Sequence, residues 1–133
     1  MTIYTGRLIR SAQQLHVTLW QEIVSTEITG PQFGVLEALH NTPGLSQADL
    51  CAYLDLDRST IAELVARMSD KGLIDRDDHA EDRRRYSISL SKTGVAEYEK
   101  LVPKVLALDA ALTKKLTSAE HDELQRLLKL VVG

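Results

Sequence analysis

The amino-acid sequence predicts a mainly α-helical fold with one small β-hairpin, in the order α-α-α-α-β-β-α-α. Three observations predict it. Apolar residues recur at spacings of three and four through most of the chain, the period of a helix with one covered face. Capping signals stand before the runs, at Thr29 with Gln32, at Ser46, at Asp57, at Ser91 and at Thr117 with Glu120. Between the fourth and fifth runs the pattern changes to alternation at Tyr86, Ile88 and Leu90, which marks a strand.

The elements follow in order. Residues 5–25 carry the stripe Leu8, Ala12, Leu15, Leu19 and Ile23, with a mixed stripe of Ile9, Gln13, His16, Trp20 and Val24 beside it. Thr29-Gly30-Pro31-Gln32 opens a second helix through Phe33, Val35, Leu36 and Leu39, which Pro43-Gly44 stops. Ser46 to Leu54 is a short third helix with Leu50 and Leu54 inward. Asp55-Leu56-Asp57 leaves room only for a tight turn, and Asp57 caps a fourth helix whose stripe is Ile61, Leu64, Val65 and Met68. Gly72 ends that helix. Residues 73–76 and 86–90 are the hairpin strands, joined by a polar loop. A long fifth helix from Ser91 to about Lys114 contains Pro103, where the lost backbone donor predicts a kink. The last helix carries Leu124, Leu127, Leu128 and Val131.

The chain has 133 residues, 44% of them hydrophobic, and a formal charge of −3. That length fits a single domain with its own core. No apolar run approaches the ~20 residues of a membrane span, and no secretory signal stands at the N-terminus. The lone Cys51 makes no internal disulfide, which fits a reducing cytoplasm. A negative net charge argues mildly against nucleic acid as a bulk partner, but affinity follows local basic surface.

Two short helices joined by a three-residue turn fit a helix-turn-helix, and equally an ordinary helical corner. The polar face of the second helix favours the former. Arg58, Ser59, Thr60, Glu63 and Arg67 offer hydroxyls and guanidinium groups suited to phosphates and base edges, with Ser46 and Gln47 opening the preceding helix. Glu63 has two roles open to it, accepting from cytosine or pairing with Arg67. The hairpin tip adds Arg83, Arg84 and Arg85, and an arginine entering a narrow minor groove gains from its negative potential. Asp82 stands two residues before Arg84, spaced to orient it. Across residues 58–86 seven basic and seven acidic side chains cancel, so placement outweighs net field.

These residues resemble the MarR family of bacterial transcriptional regulators over nearly the whole chain. The resemblance is carried by Asp57-Arg58-Ser59-Thr60, by Lys71-Gly72-Leu73-Ile74, and by Asp82-Arg83-Arg84 followed by Leu90-Ser91-Lys92-Thr93-Gly94. It implies a winged helix-turn-helix at 29–91, with dimerisation helices at 1–28 and 92–133. It also implies a homodimer on a pseudo-palindromic double-stranded operator at the bacterial nucleoid, most often as a repressor. Arg84 then becomes the minor-groove residue and Asp82 its orienting partner. A small-molecule effector pocket between the dimerisation and DNA-binding regions is implied as well.

Independently, Leu101, Val102, Val105, Leu106, Leu108 and Leu112, with Leu127, Leu130 and Val131, form an apolar excess that suits a two-fold interface. Arg10, Gln13, His16 and Trp20 on the first helix suit a small aromatic or carboxylated metabolite, which the family resemblance narrows to aromatic or phenolic acids, although Trp20 also suits a core and His16 an interface. Two other functions stay open: a winged-helix protein-interaction module without DNA, and a regulator switched by Cys51 oxidation. The four histidines are scattered without ligand spacing, so no metal is expected, nor any cofactor. No phosphate-binding glycine loop or nucleophile elbow suggests an enzyme.

Overall fold

The structure is a computed structural model that describes residues 1–78 and 86–133. The predicted order holds: α1 (Thr5–Leu19), a π-helical turn (Trp20–Val24), α2 (Gly30–Asn41), α3 (Gln47–Leu54), α4 (Arg58–Asp70), β1 (Ile74–Asp78), β2 (Tyr86–Leu90), α5 (Lys92–Leu112) and α6 (Ser118–Val132). The fold is mainly helical with a two-stranded antiparallel wing.

The caps explain where the helices start. Thr29 accepts from the Gln32 amide while the Gln32 side chain accepts from the Thr29 amide, at 3.2 and 3.1 Å. Ser46 with Asp49 and Thr117 with Glu120 repeat this reciprocal box. Gln32 is buried, so its cap bond also satisfies a polar group that burial would otherwise penalise. Gly72 follows α4 with a positive φ of 72°, a conformation that costs glycine little. The helix expected over residues 5–25 changes pitch at Trp20 and ends at Val24, with Trp20–Val24 forming the π turn. The stripe periodicity does not report that change.

The chain forms two compact units, one of residues 1–24 and 104–133, the other of residues 25–103. The start of α5 belongs to the second unit. Ser91 donates its amide to the Leu73 carbonyl at 3.0 Å and its hydroxyl to the Gly72 carbonyl at 2.6 Å. Tyr98 then stacks on Phe33 and His40, with ring centroids 5.6 and 4.3 Å away.

The core of the second unit is Val35, Leu36, Leu39, Leu50, Ile61, Val65, Met68, Ile88 and Leu101, all but fully enclosed. β1 and β2 pair from Ile74 with Leu90 to Asp78 with Tyr86. Leu45 adds a single bridge on the other edge of β2, where Ile88 donates to the Leu45 carbonyl at 2.8 Å and accepts from Gly44 at 3.0 Å. The wing base is therefore tied to the segment leading into α3.

In the first unit, α1 and α6 enclose no residue of their own. Leu8, Leu15, Leu127 and Leu130 are open, the last at 67% exposure. Two members of the predicted apolar excess are corrected here. Leu101 in the second unit and Leu108 in the first are buried at 1% and 3%, each covered within its own unit, whereas Leu106 is 66% exposed. α5 runs on as a helix through Pro103.

Candidate nucleic-acid interface

The reading element begins with α3, which anchors itself through Leu50. Its last carbonyls are satisfied by the turn: the Cys51 carbonyl accepts from the amides of Asp55 and Leu56. Asp55 takes a left-handed φ of 54°, which a short polar side chain tolerates better than most. This reverses the chain within three residues and lets α4 start at once. Ile61, Val65 and Met68 bury one face of α4, leaving Arg58, Ser59, Glu63 and Arg67 on the exposed side and Thr60 half-buried.

Asp57 organises the first turn of α4. Its Oδ1 accepts from the Thr60 amide at 2.7 Å and from the Ser59 hydroxyl at 3.0 Å. The Thr60 amide first, then the Thr60 and Ser59 hydroxyls, hold the Asp57 carboxyl below the usual carboxylate range. One turn on, Glu63 Oε1 accepts from Arg67 at 2.7 Å. Of the two roles open to Glu63, its pairing with Arg67 is therefore formed in the free protein. Arg58 has no hydrogen-bonding or ionic partner among the described residues.

Ser46 and Gln47 are half-buried at the start of α3, and the Ser46 hydroxyl is engaged as the cap. Asp82, Arg83, Arg84 and Arg85, with His79, lie outside the described residues. On α1, His16 and Trp20 stand 5.9 Å apart between ring centroids, Trp20 buried at 6% and His16 half-buried. Arg10 and Gln13 are exposed along the same helix. Cys51 is half-buried in mid-helix. Among the described residues there is no His, Cys, Asp or Glu cluster able to hold a metal, and no helix long and apolar enough to cross a membrane.

Some supports of this element were not visible in sequence. Lys71 donates from Nζ to the Glu27 carbonyl at 2.9 Å, tying the end of α4 to a segment 44 residues away. The Tyr98 stack joins α5 to α2, and burial first, then Glu37 and Tyr53, push its phenol pKa up. Gly94 did stand in a recognised motif, and its role is now physical: a Cβ there would lie 2.1 Å from the Leu73 carbonyl oxygen.

A MarR family model matches residues 26–85, which include the helix-turn-helix and β1. The multiple antibiotic resistance protein MarR of Escherichia coli K12 is 31% identical over 129 residues, covering 96% of this chain and 90% of that one. The chain belongs to the MarR family. A protein named as a transcriptional regulator for the hcr operon of Thauera aromatica is 38% identical over 108 residues, and the match spans 80% of this chain and 65% of that relative. Among solved structures, the PcaV transcriptional regulator of Streptomyces coelicolor with its natural ligand superposes at a TM-score of 0.93. It is 34% identical and covers 99% of this chain and 97% of its own. A mutant MarR from E. coli complexed with operator DNA superposes at 0.87, with 31% identity and coverage of 96% and 93%. This MarR-family chain is a winged-helix transcriptional regulator.

Proposed function

We propose that this MarR-family protein is a homodimeric repressor that reads a pseudo-palindromic operator and is released by a small aromatic or phenolic acid. The observation that carries the DNA reading is the open polar face of α4, fixed by a buried opposite face and braced by the wing base. The E. coli relative solved with operator DNA supports it. In this reading α4 lies in the major groove, with Arg58, Ser59, Thr60, Glu63 and Arg67 toward the bases and phosphates, while Ser46 and Gln47 face the backbone. Arg83, Arg84 and Arg85 serve the adjacent minor groove, Arg84 oriented by Asp82.

The apolar residues left open on α1 and α6 support a second copy as partner, since exposed patches of this kind mark association surfaces. A two-fold dimer sets two reading helices about 34 Å apart, one turn of DNA. The effector reading rests on Arg10, Gln13, His16 and Trp20 along α1: a guanidinium for a carboxylate, an amide and imidazole for hydroxyls, and indole as the wall. The ligand acts by binding more tightly to the dimer state that does not match the half-site spacing.

The test is a salt-titrated mobility shift with the DNA flanking the protein's own gene. Binding should weaken steeply with salt. Arg84→Ala should lose at least tenfold in affinity with its melting temperature kept, a loss on the scale of one or more base contacts. Full binding by that variant would remove the wing from the complex. Replacing Arg10 and His16 with alanine should leave DNA binding intact and abolish release by aromatic acids.

A further inference from the structure

The hydroxyl of Ser59 has one proton, and the structure spends it on Asp57 Oδ1 at 3.0 Å. A carboxylate only accepts, so the direction of that bond is fixed. Ser59 is exposed, and what it shows to a docking partner is lone pairs alone. Four residues on, Glu63 lies on the same helix face. Its Oε1 is engaged by Arg67, and as a carboxylate it too can only accept. Phosphate oxygens are acceptors and cannot satisfy either group. Two acceptors about 6 Å apart along the helix axis face whatever enters the groove. In the major groove only cytosine N4 and adenine N6 donate.

We propose that Ser59 and Glu63 form an acceptor pair that selects amino-bearing bases, cytosine or adenine, at neighbouring positions of each half-site. Asp57 acts as the positioning residue, because its bond withholds the Ser59 proton from phosphate. Arg67 positions Glu63 and partly offsets its charge near DNA. Phosphate affinity on this helix then falls to Arg58. The proposal rests on α4 being the reading helix.

The experiment is selection of binding sites from a random duplex library by the full-length protein, followed by affinities on the winning site and its single-base replacements. The expected result is cytosine or adenine at one or two positions per half-site. Ser59→Ala should cut discrimination at one of these by about fivefold while leaving the salt slope unchanged. Ser59→Thr, which keeps a hydroxyl, should restore it. A selected guanine or thymine edge there would overturn the proposal. So would uniform weakening by Ser59→Ala with the salt slope reduced by about one, the mark of a phosphate contact. If the parent protein selects no sequence at all, the reading-helix assignment itself fails, and the proposal with it. Circular dichroism melts of both variants guard against misfolding, which an exposed first-turn side chain has little power to cause.

Discussion

Gly94→Ala is the most informative single change in the winged unit. Gly94 is buried at the start of α5, and an added methyl would meet the Leu73 carbonyl oxygen at 2.1 Å and its carbon at 3.1 Å. The obstacle is backbone, so no rotamer relieves it, and helix and strand entrance must separate by roughly 1 Å. Two bonds cross that gap, from the Ser91 amide to Leu73 and from the Ser91 hydroxyl to Gly72. Overpacking costs about 2 kcal/mol. Weakening both bonds costs about 1 kcal/mol each, and alanine's better helix propensity returns about 1 kcal/mol. The net loss is about 3 kcal/mol, or about 10 °C in melting temperature for a chain of this size. Thermal and urea unfolding followed by circular dichroism would measure it. A variant melting within about 2 °C of the parent would refute the close approach as the reason for glycine here.

Three further outcomes are expected. Ile61→Ala empties a fully buried site under α4, so urea unfolding should show a loss of about 3 kcal/mol. Replacing both Leu127 and Leu130 with glutamate should shift sedimentation toward monomer; unchanged dimer would place the interface elsewhere. His121 bonds Asp109 Oδ2 at 2.9 Å and approaches Asp122 Oδ1 at 3.5 Å. The Asp109 bond first and the Asp122 bond second raise its pKa above the ordinary 6.5, against a smaller desolvation effect. A raised folded value stabilises fully below the unfolded value and is lost as pH rises through the folded one. His121→Gln should therefore destabilise near pH 5.5 and match the parent near pH 8.5, read by thermal melts at about those two values; an equal gap at both would refute it.

Caps and turns were legible because they are written in adjacent residues. Thr29-Gln32, Asp57 before α4 and Thr117-Glu120 each need only local chemistry, and each forms as read. The polar face of α4 was legible for the same reason: an apolar stripe at Ile61, Val65 and Met68 leaves the opposite side to solvent. β1 was harder. It runs Ile74–Asp78, later than the expected 73–76, because only Ile74 in it is apolar and its extent is set by pairing with β2. The π turn leaves the stripe spacing intact and so left no trace. Leu101 and Leu108 were misplaced because periodicity shows that a face is apolar, not which neighbour covers it. The Tyr98 stack and the Lys71 bond join residues far apart in sequence, and no local rule reaches them.

The bare faces of α1 and α6 have a consequence for dose. In the proposed dimer the apolar residues that α1 and α6 leave open in one copy would be covered by the second, which makes folding free energy a function of concentration. Dilution then weakens the protein itself and not only its grip on DNA. In that dimer an unpaired chain would be the better protease substrate, so abundance would set lifetime. Below the concentration at which copies pair, such a regulator would be removed as well as idle, and its operator would respond to protein level as a threshold.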